Sequence, residues 1–198
     1  MHKISLTDFV DVVSKAGTSK ATKVATIKNR KPYTPATDFY KGIRDKIVEI
    51  VELGEGKEDV QTAVENAYSS RKDHYQEVAD GFVKWMGRKN IEWFQPAKGG
   101  YGQGDISVSV NPEVGAVING VPHLVKLYFK ADKLPKNHAM ISTHLMETCL
   151  RDNCPENTIM AVLDVKRGKL MEYVAPSPKF DAALKGELAY IESIWDEL

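Results

Sequence analysis

Asn119-Gly120 restricts the fold of this chain more than any other feature. It is flanked by two apolar runs, EVGAVI and HLVKLYFK. A two-residue hairpin turn needs left-handed backbone at both central residues. Asn and Gly tolerate that best, and the resulting twist matches that of paired strands. The pair therefore predicts an antiparallel hairpin around which the rest must pack. Alternation in HLVKLYFK puts Leu124, Lys126, Tyr128 and Lys130 on one face and Val125, Leu127 and Phe129 on the other. The second set reads as core. The first is mixed: either it borders a cleft, or it is an ordinary sheet surface from which lysines reach water.

Helical patterns precede the hairpin. Ser5 is a good cap for a short helix carrying Leu6, Phe9, Val10 and Val13, with Gly17 as its stop. The next segment, TSKATKVATIKNRKPYTP, holds Lys20, Lys23, Lys28, Arg30 and Lys31, with no acid between Asp11 and Asp38. It reads as an exposed basic arm over 18–34, either a solvated connector or a segment that contacts phosphates. A helix capped by Thr34 and opened by Pro35 follows, with Phe39, Ile43, Ile47, Ile50 and Val51 inward and Gly54 as its end. Another starts near Lys57, facing Val60, Ala63, Val64 and Ala67 inward. A long one, capped by Ser69 or Ser70, runs through Tyr75, Val78 and Phe82 to Gly87.

The period then shortens. IEWF reads as a strand, AKGGYGQG as a glycine-rich turn and DISVSV as a half-buried strand. Beyond the hairpin, Met140, Ile141, His144, Leu145 and Thr148 mark a helix after Pro135, and TIMAVLDV a buried strand. Arg167-Gly168 turns the chain into KLMEYV, and a helix from Ser177 to Trp195 closes it. The expectation is an α/β (α+β) protein. Residues 1–69 form a helical amino-terminal extension, and 70–198 a mixed-sheet core packed with it as one unit.

Composition adds exclusions. The formal net charge is zero, so only a local cluster such as the basic arm can signal nucleic acid. The only cysteines, Cys149 and Cys154, fit reduced thiols and lack the further ligands a zinc site needs. MHKISLTDFVDVV is not a signal peptide, and no run approaches the roughly 18 apolar residues of a membrane helix. A cytoplasmic location without a membrane partner is expected.

In the order of its elements the chain resembles the PD-(D/E)XK nuclease superfamily, whose restriction-endonuclease-like fold has a core of helix, three strands, helix and strand. The resemblance covers about half the chain, from Ser70 to Val165, and its specific piece is NPEVGAVINGVPHLVKLYFK. It implies that Pro112-Glu113 corresponds to the Pro-acid element, Lys126 to the catalytic lysine and Glu77 to a helix glutamate. The acid that should precede that lysine is replaced by Leu124; in the other register the lysine position is Tyr128. Glu77, Glu147 or Asp105 would have to supply a second carboxylate.

The implied activity is that of a metal-dependent nuclease or nuclease-derived nucleic-acid-processing protein, with DNA the favoured partner. Glu113, Lys126 and Glu77 would be catalytic. Glu113 and Glu77 would hold Mg2+, which polarises a phosphate and acidifies an attacking water. Lys20, Lys23, Lys28 and Arg30 would hold the backbone. The alternative is a non-catalytic nucleic-acid-binding or protein-interaction module with a degenerate site. Two smaller patterns also bear on chemistry. Asp164-Val165-Lys166 reads as a strand end beside a turn, and His144 with Glu147 as a helix pair lacking a third ligand.

Overall fold

A computed structural model describes residues 1–198. Strand β1 (His2–Ser5) leads into α1 (Leu6–Val13), capped as expected by Ser5, whose hydroxyl accepts from the Asp8 amide at 3.0 Å. Helices α2 (Gly17–Lys28), α3 (Lys41–Leu53), α4 (Gln61–Glu65) and α5 (Ser69–Met86) follow. Next come β2 (Ile91–Phe94), β3 (Gly99–Gln103), β4 (Ile106–Val110), β5 (Val114–Ile118) and β6 (Val121–Tyr128). The chain closes with α6 (Lys136–Leu150), β7 (Ile159–Asp164), β8 (Lys169–Glu172) and α7 (Lys179–Trp195). No helix is long and apolar enough to cross a membrane.

The hairpin forms where its turn predicts. Asn119 and Gly120 have φ of 49° and 85°, and Ile118 pairs with Val121 across them. The hairpin lies inside a five-stranded sheet ordered β2-β5-β6-β7-β8, parallel only between β6 and β7. A second sheet, β1-β4-β3, is parallel between β1 and β4 and antiparallel between β4 and β3.

Each face of the large sheet is covered. Val125 and Leu127 point into a cluster with Ile43, Ile47, Val78 and Phe82 of α3 and α5. Leu124 points the other way, into a cluster with Phe9, Ile141, Leu145 and Leu188 and with Ile106 and Val108 of the small sheet. The alternation read from HLVKLYFK is thus met by two separate apolar layers. Helix α5 crosses the end of β7 at Gly81, where a Cβ would lie 1.9 Å from the Val165 carbonyl oxygen. Only glycine fits that crossing.

The structure departs from the sequence reading in five places. Residues 18–34 do not form a loop arm: α2 occupies most of the segment, docked through buried Val24 and half-buried Ile27. Long-range packing overrides a weakly amphipathic, threonine-rich stretch. The helix expected at Pro35 is only a short turn, Pro35–Thr37, and α3 begins at Lys41 without a side-chain cap. Likewise α5 follows Tyr68, and neither Ser69 nor Ser70 caps it.

GGYGQ is a strand rather than a turn, because β4 offers it a complete antiparallel ladder. Residues 1–69 are not purely helical: β1 pairs with β4, and Phe9 and Val24 enter one apolar cluster while Ile43 and Val64 enter the other.

Candidate functional site at the hairpin edge

Glu113 stands one residue before β5, where the β5–β6 ladder ends. Its amide donates to the Val125 carbonyl at 3.2 Å, and Val114 pairs with Val125. Past Val125, β6 has no β5 backbone opposite it. The Glu113 side chain fills that place. Oε2 accepts from the Leu127 amide at 2.8 Å, and Oε1 accepts from the Lys126 ammonium. Lys126 also donates to the Asn111 carbonyl at 3.2 Å. The two side chains are 18% and 17% exposed, shielded enough to make the pair matter. Two of the residues singled out in the sequence are therefore brought into direct contact.

The pair lines a groove of about 500 Å³ between α3 and the hairpin. Helix α3 contributes Arg44, Asp45, Glu49 and Glu52; Trp93 and Lys98 belong to the other wall. Arg44 is bound to Asp38 at 2.8 Å. Burial opposes its charge, but that bond, with attraction from Asp38, Glu113 and Asp45, holds the guanidinium above its ordinary pKa. Three cations, Arg44, Lys98 and Lys126, thus face four carboxylates, Asp45, Glu49, Glu52 and Glu113. The α3 acids recur every three or four residues opposite Ile43, Ile47 and Ile50. That spacing is visible in the sequence, but it is also the ordinary pattern of a solvated helix face.

The other expected members lie elsewhere. Glu77 is 60% exposed on α5 and pairs with Lys166 at 2.6 Å, a contact that lowers its pKa. It does not line the groove. Asp164 accepts from the Leu134 amide at 3.0 Å, so the acid and lysine of Asp164-Val165-Lys166 have different partners. Glu147 is held by Arg151, and Asp105 lies 3.6 Å from the terminal amine. His144 has no hydrogen bond at either ring nitrogen, and its Nε2 lies 3.8 Å from Asp181. No three His, Cys, Asp or Glu side chains converge on a common point.

Four basic residues of the expected arm are bound to other parts of the chain. Lys20 binds Glu187 at 2.7 Å, Lys23 binds Asp11 at 3.0 Å, and Lys28 donates to the Trp195 carbonyl at 2.6 Å. Arg30 grips Asp8 with two bonds of 2.7 and 3.0 Å. Their charge is largely compensated within the chain.

The fold and site define a mixed α/β protein with a polar groove at a hairpin edge. No family model matches the sequence, and no curated protein or solved structure matches the chain.

Proposed function

We propose that this chain is a non-catalytic interaction module, in which the acid and lysine of the hairpin act as a structural clamp. The observation that carries this reading is the engagement of both Glu113 oxygens by the protein itself, one by Lys126 and one by the Leu127 amide. A magnesium ion seeks carboxylate and water oxygens. Here it would meet one carboxylate and, directly against it, an ammonium that repels it. Leu124 is fully buried in the position where the nuclease pattern has its second acid. The clamp has a use without metal: it satisfies a strand edge amide and holds the chain entering β5 against β6.

The groove beside the clamp suits a polar protein segment of mixed charge better than a phosphate backbone. Its carboxylates outnumber its cations, and strong backbone binding needs the reverse.

A second reading, a Mg2+-dependent nuclease acting on DNA, draws support from the succession α5, β2, β5, β6, α6 and β7 in the large sheet. It draws further support from the meeting of Glu113 and Lys126 at a solvent-open groove. Incubating the purified chain and its Glu113→Gln variant with single- and double-stranded DNA and magnesium separates the two. The module reading predicts no cleavage above the protein-free blank in either sample. Cleavage by the native chain that Glu113→Gln abolishes would establish the nuclease instead.

A further inference from the structure

Strand β2 is one edge of the large sheet, with β5 as its only neighbour. The Asn119 amide donates to the Asn90 carbonyl at 2.8 Å, which fixes the phase of that ladder. In an antiparallel pair, residues alternate between bonding across the ladder and facing away from it. Glu92 and Phe94 therefore bond to β5, while Ile91 and Trp93 turn their amides and carbonyls outward. No group of the chain bonds to them there. Free edges are commonly blunted by charge or proline, since they template pairing with another chain. Strand β8, the opposite edge, begins with Lys169 and ends with Glu172. Strand β2 reads IEWF, three of its four residues apolar.

The groove that holds Glu113 and Lys126 adjoins this edge, and Trp93 lines it. From α3 it receives Arg44, Val48 and Glu52, whose spacing of four aligns them in one stripe. Asp45 and Glu49 beside the stripe are already held by Lys41 and Lys46. Glu52 is exposed and has no ion pair in the chain. Arg44 engages Asp38 through Nη2 and leaves Nη1 free to donate. Arg44 lies toward Glu113, whose charge acts on it. Glu52 lies about 12 Å farther along α3, two turns on. The stripe is thus positive at one end, apolar at its centre and negative at the other.

We propose that this edge joins two copies of the chain about a twofold axis, with β2 antiparallel to the partner's β2. The inference rests on reading the groove as an interaction surface, and it names the occupant. A twofold contact uses one patch twice, so the patch must complement itself. The stripe does. An antiparallel second copy brings the partner's Glu52 to Arg44, the partner's Val48 to Val48 and the partner's Arg44 to Glu52. Ile91 and Trp93 exchange backbone bonds with the partner's Trp93 and the partner's Ile91, and the two five-stranded sheets become one. A partner of a single charge sign would meet a like charge at one end of the stripe.

Light scattering from the full chain over a dilution series, with no nucleic acid present, tests the proposal. The mass should rise with concentration from 22.1 kDa toward twice that value. Glu52→Arg sets like charges against each other across the axis and should weaken the dimer about tenfold or more. Because Glu52 is exposed and unpaired, the melting temperature of the diluted, monomeric variant should not fall. Ile91→Pro removes an outward N–H and leaves the β5 ladder bonds in place, so it should prevent dimerisation while the circular dichroism stays native. A chain that remains at 22.1 kDa at every concentration, or a dimer that folded Glu52→Arg or Ile91→Pro leaves at native strength, would overturn the proposal. Either result would leave the module reading standing, since that reading is decided separately by the DNA cleavage assay.

Discussion

At the scale of single residues, the chain spends its charges on itself. Asp8 shows how. Burial pushes its carboxyl up, but the bonds from Arg30 and Ser5, with Coulombic help from Arg30 and Lys23, bring it below the usual aspartate range. A carboxyl whose pKa is lower in the folded state than in the unfolded chain binds more protons when unfolded. Its contribution is therefore complete above the ordinary aspartate value of about 3.9 and is lost as pH falls through the folded value. Asp8→Asn should cost about 1–3 kcal/mol at neutral pH, because it weakens charge-assisted bonds. It should also flatten the acid limb of a stability–pH curve measured by urea unfolding. An acid limb identical to that of the native chain would show that the Asp8–Arg30 contact is a surface ornament. The same pairing explains why the basic segment reads as an arm in the sequence. Its acidic partners Asp8, Asp11 and Glu187 are contributed by α1 and α7, and nothing in the local sequence announces that they dock there.

At the scale of elements, short-range signals identify those pieces whose chemistry is local. The Ser5 cap, the Asn119-Gly120 turn, the Gly54 stop and the alternation in β4 and β6 all rest on residues within a few positions of one another. Helix α2 rests on partners elsewhere, so its type is decided by packing, and β3, too rich in glycine to read as a strand, takes its type from the adjoining β4 ladder across Gly104-Asp105. The glycines show the same division. Gly81 is dictated by the carbonyl of Val165 against α5, whereas a Cβ at Gly186 in α7 meets nothing within 4 Å. Gly81→Ala should destabilise by about 1–3 kcal/mol or more through backbone displacement. Gly186→Ala should stabilise by about 0.5–1 kcal/mol, because it removes unfolded-state freedom in a helix interior. Thermal melts of both variants check the contrast, and a tolerated Gly81→Ala would mean that the α5 crossing is looser than described.

For the whole molecule, the α/β class and most of the element order are legible in the sequence, because periods of two and of three to four residues mark strands and helices directly. The partition of the first 69 residues between two cores is not legible, since apolar stripes do not say which sheet face they will cover. The site is half legible. Glu113 and Lys126 are singled out in the sequence by the resemblance to the nuclease pattern, whereas their direct contact and the α3 wall of the groove are products of tertiary packing. That contact is the centre of the account.

The most direct test is a double-mutant cycle on unfolding free energy with Glu113→Gln, Lys126→Met and both together. A clamp predicts that each single change destabilises and that the pair couples by about 1 kcal/mol or more, as shielded charge pairs do. If Glu113→Gln proves as stable as the native chain or more so, with no coupling to Lys126, the acid is not a clamp. It would then be held in reserve for something that binds there.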